Sequence, residues 1–226
     1  ALLGPSFILL GLGLGSGEFI LWPYLTSNWG MGIIWGAILG VTLQFFINME
    51  IERYALARGE SVFVGFARQF KLLPYWFVVS TFLSWIWPGI IATSARLFGE
   101  VLGLSNFNLL GIGLLVLIGI ILTVGPVLYK TVERFSFILI SISVPAIFVL
   151  ALYLSTKNDL LDLIIGATQF GNIPEGLPFA SFLAAFAFAG AGGNLNLAQS
   201  FYVKEKGYGM GKYGGKITSI LTGKIE

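Results

Sequence analysis

The chain has 226 residues, of which 56% are hydrophobic and only 11% charged, and its mean hydropathy is +0.88. A soluble domain carries about 25% charged residues, so this composition excludes an ordinary soluble fold and indicates an integral, multi-pass membrane protein. The absence of Cys and His excludes disulfides and thiolate or imidazole metal sites. The net charge is only +2, and the basic residues lack the clustered aromatic stripe that is typical of a nucleic-acid surface.

Six apolar segments are long enough to cross about 30 Å of hydrocarbon as helices. They are residues 2–25, 33–49, 73–97, 107–128, 135–154 and 177–203. Pro74 suits the first turn of the third segment, Pro88 predicts a kink in it, and Pro145 lies inside the fifth. Residues 156–176 are polar enough for an outer loop with a short helix near Asp159, and residues 204–226 are predicted to form a cytoplasmic loop.

Basic residues determine the predicted orientation. They concentrate in the connections after the second and fourth segments and in the tail after the sixth, whereas the opposite side holds Lys157, with Arg96 near a segment end. The positive-inside rule therefore predicts that those connections and the N-terminus are cytoplasmic. Trp22, Tyr24 and Trp29, near the outer end of the first segment, predict an aromatic belt at the membrane surface.

A glycine-rich interruption in the first apolar segment is the most informative feature of the chain. Residues 13–18 carry three glycines, each costing about 1 kcal/mol in a helix interior relative to alanine, and one carboxylate, which costs roughly 2.5 kcal/mol or more at bilayer depth. Gly15, Ser16, Gly17 and Glu18 are therefore candidate ligands, with Glu18 as a metal ligand or proton carrier. The alternative is a structural carboxylate that caps the following half-helix.

A second interruption lies in the sixth segment. Ala189, Gly190, Ala191 and Asn194 are the candidate residues there, supplying backbone carbonyls and amides; the alternative is a small-residue surface for close helix packing. Asn194 is preferred to Asn196 because it adjoins the interruption. Two interrupted helices in comparable places indicate a transport site near the bilayer midplane.

Two polar pairs are candidates for a path or gate. Gln44 and Asn48 share one face of the second segment at four-residue spacing, and either line a path or bond to neighbouring helices. Arg96 and Glu100, also four residues apart, form either an outer gate or a surface ion pair. No catalytic motif is present, so we expect neither an enzyme nor a bound cofactor.

At these residues the chain resembles the Nramp family of proton-coupled divalent-metal transporters. The resemblance lies in Gly4-Pro5 and the first interruption, in residues 25–30, in residues 44–53 and in residues 59–61, and it covers most of residues 4–205. The departures fall on the site. At residues 15–18 the family has Asp-Pro-Gly-Asn, and only Gly17 of this chain matches that motif. At residues 191–193 the family has Met-Pro-His, which this chain lacks, but the Asn194 that follows matches.

The resemblance implies an all-α membrane protein with the LeuT-type inverted-repeat fold. Residues 1–155 would be the first five-span repeat, 156–176 an outer loop, and 177–203 the first broken span of a second repeat, so that the chain is a fragment with six transmembrane helices.

The implied function is secondary transport of a divalent metal ion by alternating access. With no Met, His or Cys at the site, oxygen ligands and hard ions such as Mg²⁺ or Mn²⁺ are expected. The alternatives are a proton- or sodium-coupled carrier of a small organic solute, and a non-transporting membrane scaffold or sensor. The expected partners are the ion or solute and the lipid bilayer, with no nucleic acid.

Overall fold

The computed structural model of the chain describes residues 10–11, 13–15, 17–86, 88–124, 128–190, 192–214, 217–219 and 224–225. A π-helical turn (Gly17–Leu21) precedes α1, a 3-10 turn (Met31–Ile33) precedes α2, and another (Gly209–Lys212) follows α10. The helices are α1 (Trp22–Trp29), α2 (Ile34–Arg58), α3 (Val62–Gln69), α4 (Leu73–Trp85), α5 (Gly89–Leu102), α6 (Phe107–Val124), α7 (Leu128–Leu154), α8 (Lys157–Thr168), α9 (Phe179–Ala187) and α10 (Asn194–Glu205). Two short strands, β1 (Ile217–Ser219) and β2 (Lys224–Ile225), pair antiparallel.

Three stretches of the described chain are helical, long and apolar enough to cross a membrane. They are Met31–Arg58, Leu73–Leu102, which joins α4 and α5, and Lys130–Leu154, while Phe107–Thr123 is a shorter apolar helix. Large apolar side chains along these helices are widely exposed, as expected where lipid and not water is the solvent. The helical class is therefore confirmed, and the architecture is compatible with a membrane protein.

The second predicted interruption is present, since six residues separate the end of α9 from the start of α10. The first is shorter than predicted: Leu14 and Gly15 form a bend, whereas Gly17 and Glu18 lie in the π-helical turn that continues into α1. Helix α4 ends at Trp85, and Pro88 occupies the N-cap position of α5, because proline cannot supply the amide hydrogen of a continuing helix. Pro145, in contrast, lies inside the continuous helix α7.

Two predicted boundaries are wrong. Helix α2 continues to Arg58, beyond the predicted end at residue 49, and α7 begins at Leu128, so that Lys130 and Arg134 lie on a helix and not in a loop. Neither charged stretch contains glycine or proline, and Glu, Arg and Lys are good helix formers. Helix α2 ends only at Gly59, whose φ of 67° is the left-handed conformation that closes many helices.

The main apolar core joins α1, the Met31–Ile33 turn and α9. Trp22 belongs to it and not to an aromatic belt: it is 6% exposed, and its ring meets that of Phe182 edge to face, with centroids 6.1 Å apart. Helix α2 packs closely against α9 through Gly40, where an added Cβ would lie 2.8 Å from both the Ala189 Cβ and the Phe186 carbonyl oxygen. This small-residue contact positions the second interruption against α2.

Charged and polar residues organise the connections. Between α2 and α3, Glu60 is 3% exposed; it accepts hydrogen bonds from both terminal nitrogens of Arg68 and from the Tyr54 hydroxyl. The bond to Glu60 raises the pKa of Arg68 above its ordinary value.

The predicted short helix near Asp159 is present as α8, which starts with a capping box. The backbone and hydroxyl of Thr156 donate to the Asp159 carboxylate, and these bonds lower the pKa of Asp159. The cap therefore contributes stability above the ordinary pKa of an aspartate and loses it as the pH falls through the lowered folded-state value.

Candidate functional site

The two interruptions meet through the carboxylate of Glu18. Its Oε1 accepts a hydrogen bond from the Gly190 backbone N–H at 2.5 Å, and its Oε2 accepts one from the Gly15 N–H at 3.3 Å. One side chain thus joins residues 172 positions apart in the sequence. A carboxylate offers about four acceptor positions, so these two bonds leave lone pairs available to a ligand.

Gly17 lets the two interruptions approach each other. An added Cβ at this position would lie 2.4 Å from the Phe188 carbonyl oxygen and 3.1 Å from the Phe188 carbonyl carbon and Cβ. The distance of 2.4 Å is shorter than real Cβ contacts, and the oxygen that the Cβ would meet belongs to the backbone, which cannot rotate away as a side chain can. The close approach therefore requires glycine at residue 17.

A cavity of about 370 Å³ opens between the interruptions and α4. Glu18 is the one acidic or basic side chain among the described residues that line it. The lining residues are Gly13, Gly15, Gly17, Glu18, Trp76, Ser80, Thr81, Ser84, Ile90, Phe188, Gly190, Gly192, Gly193, Asn194 and Leu195. The cavity thus combines one carboxylate, backbone at both interruptions, a row of hydroxyls and an apolar remainder.

Asn194 links the second interruption to α4. Its Nδ2 donates to the Ser80 hydroxyl at 2.9 Å and to the Thr81 hydroxyl at 2.7 Å. Sequence reasoning missed these two residues and Ser84, which also lines the cavity. The available signal was the set of three hydroxyls within one and a half turns of an otherwise apolar helix, with Ser80 and Ser84 on the same face.

Gln44 and Ala189 lie behind the cavity, where α2 meets the second interruption. The Gln44 Nε2 donates to the Ala187 carbonyl oxygen at 3.0 Å, and an added Cβ at Gly190 would lie 3.0 Å from the Gln44 Oε1. Ala189, 2% exposed, belongs to the apolar core. Both residues support the shape of the second interruption and are absent from the cavity lining.

Other predicted residues lie elsewhere. Asn48 lies one turn beyond Gln44 on α2, away from the cavity lining. Arg96 and Glu100 form an ion pair at 3.5 Å whose side chains are 72% and 60% exposed, the geometry of a surface pair, worth about 0–1 kcal/mol. Ser16 and Ala191 lie outside the described residues.

The chemistry of the cavity favours oxygen ligands. Carboxylate, hydroxyl, carboxamide and backbone carbonyl oxygens are available, and such groups suit Mg²⁺, Ca²⁺ and Mn²⁺. No cluster of three or more acidic residues that could hold a metal occurs in the part of the chain that the structure describes. A cation here would therefore be held by one formal charge and by neutral oxygens, with room for some of its own water.

No family model matches the chain, and no curated protein or solved structure shows a significant match to it.

Proposed function

We propose that the chain is part of a secondary transporter of the Nramp-like type, which moves a hard divalent cation such as Mg²⁺ or Mn²⁺ by alternating access. The observation that carries the proposal is the Glu18 bridge: the carboxylate of one interrupted helix is bonded to the backbone of the other, beside a cavity. Interrupted helices tolerate a carboxylate and free backbone groups within a membrane only where they line a cavity or are buried in protein.

The donor set supports the choice of ion. The cavity offers oxygens and no thioether, thiolate or imidazole among its described lining residues, so a soft ion such as Cd²⁺ gains no preferred ligand. The cavity volume of about 370 Å³ leaves room for an ion that keeps part of its water, as Mg²⁺ does. We therefore infer a preference for hard ions, with weak discrimination against Ca²⁺.

Uptake by the full-length protein in liposomes tests this function. We expect radioactive Mn²⁺ to accumulate, Mg²⁺ and Ca²⁺ to compete with it, and Cd²⁺ to compete no better than Ca²⁺. Imposed proton and sodium gradients, each applied alone, identify the coupling ion. The absence of both uptake and binding for all four divalent ions would remove metal transport as the function.

A six-span, LeuT-type topology with a cytoplasmic N-terminus accompanies this proposal. Because these 226 residues contain no Cys, an introduced cysteine is the one thiol in this part of the protein, and labelling of the unsubstituted protein is the background control. We expect a Lys71→Cys variant to resist a membrane-impermeant thiol reagent in intact cells, and a Lys157→Cys variant to react with it. The reverse pattern at the two positions would invert the topology.

A second candidate is a cation-coupled carrier of a small organic solute. The specific observation in its favour is the cavity itself, whose volume of about 370 Å³ and apolar lining of Trp76, Ile90, Phe188 and Leu195 fall within the range of small-molecule sites. In that case Glu18 binds the coupling cation or a substrate amine. Solute-dependent uptake of Na⁺ or H⁺, with no divalent uptake, would favour this candidate.

A further inference from the structure

The contact between α2 and α10, which continues from the second interruption, carries polar side chains where helices in lipid usually present small or apolar ones. On α2, Gln44, Asn48 and Glu52 follow one another at four-residue spacing and share a face. On α10, Asn196 and Gln199 are 5% and 4% exposed, and Gln44 on α2 is 8% exposed; across the contact, the Gln199 Nε2 donates to the Glu52 carboxylate. We call these five residues the carboxamide seam.

The seam contains buried oxygens that lack a hydrogen-bond donor. The side-chain oxygens of Gln44, Asn48, Asn196 and Gln199 have neither solvent exposure nor a donor within the described residues. For Gln44 and Gln199, the neighbouring hydrogen bonds identify which end of the side-chain amide is the oxygen. The Gln44 Nε2 donates to the Ala187 carbonyl oxygen and the Gln199 Nε2 donates to the Glu52 carboxylate, so the other atom of each amide is the unpaired oxygen. Buried acceptors without donors are costly, and a bound cation or water satisfies them.

Glu52 gives the seam its charge. Within the described residues it forms no ion pair, whereas Glu50, two residues earlier, is paired with Arg53 through the Arg53 Nε and Nη2. Glu52 lies eight residues beyond Gln44, which corresponds to about 12 Å along a helix. The seam thus begins at the second interruption and ends at a carboxylate toward the predicted cytoplasmic side.

We propose that the carboxamide seam is a second cation site, in which Asn48, Asn196 and Gln199 supply neutral oxygens and Glu52 the charge. Carboxamide and carboxylate oxygens are ligands of hard cations, and a set with a single charge binds weakly enough to release its ion. The inference rests on the proposed function for the source of the ion.

Mn²⁺ binding to the full-length protein in detergent, measured by electron paramagnetic resonance, tests the second site. We expect Glu18→Gln and Glu52→Gln each to remove one bound Mn²⁺, and the double variant to bind neither. Glu50→Gln is the matched control, since it changes a neighbouring carboxylate on the same helix that is already paired with Arg53, and it should bind as the wild type does.

A variant that misfolds can lose Mn²⁺ binding but cannot gain it, so a variant expected to bind more tightly is also tested. Asn196→Asp adds a second charge to the seam and should tighten the Mn²⁺ site that survives in Glu18→Gln by at least about tenfold. If Glu52→Gln loses no ion and Asn196→Asp gains no affinity, the seam holds water only and the inference is overturned. If Glu52→Gln removes an ion but Glu18→Gln does not, the seam site stands and the proposed function fails.

Discussion

Gly17→Leu is expected to abolish uptake while leaving the protein inserted in the membrane. A Cβ alone would lie 2.4 Å from the Phe188 carbonyl oxygen, so any larger side chain must separate the two interruptions and move Glu18 away from Gly190. Overpacking of this kind costs about 1–3 kcal/mol, and 1.4 kcal/mol is a factor of ten. Gly17→Ala should therefore already reduce uptake by about tenfold.

Gly119→Leu is the matched control for this experiment. Gly119 lies in the apolar helix α6, where an added Cβ meets no described atom within 4 Å. Uptake into liposomes is compared at equal amounts of inserted protein, which separates a blocked site from poor expression. Full activity of Gly17→Leu would mean that the contact with Phe188 has no role in transport, and the site hypothesis would fail.

Glu18→Gln is expected to abolish divalent-cation binding in the cavity between the interruptions, while the site proposed at the carboxamide seam remains. The substitution keeps the size of the side chain but removes the one charge among the described residues that line the cavity. Two unit charges 4 Å apart interact by about 4 kcal/mol at an effective dielectric of 20. Losing the carboxylate should therefore weaken binding by at least about a hundredfold. Titration calorimetry with Mn²⁺ and Mg²⁺ measures the effect at this site.

Glu100→Gln makes the same chemical change at an exposed ion pair and should leave binding unaltered. Glu18→Asp keeps the charge but shortens the side chain, so we expect weakened binding and not its loss. Tight Cd²⁺ binding that survives Glu18→Gln would contradict an oxygen site centred on this carboxylate. It would also contradict the expected preference for hard ions.

Features that depend on local chain geometry could be predicted from the sequence. The glycines of residues 13–17 and 190–193 predicted interrupted helices, since glycine is costly inside a helix wherever the helix lies. The four-residue spacing of Arg96 and Glu100 predicted a pair, because 3.6 residues per turn place such side chains together. The break at Pro88 follows from the missing amide hydrogen. Helix ends were less accurate, as the charged continuation of α2 shows.

Features that depend on how helices pack were decided only by the tertiary structure. Hydroxyls occur on several apolar helices, and nothing in their spacing selects Ser80 and Thr81 as the partners of Asn194, 114 and 113 residues away. Trp22 fits an aromatic belt or a core equally well until the position of Phe182 is known. The sequence by itself thus determined the apolar helical class, which is compatible with a membrane protein, and the places where two of its segments are interrupted. The rotation and register of the packed helices decided that Glu18 reaches Gly190 and that α2 and α10 share a polar seam.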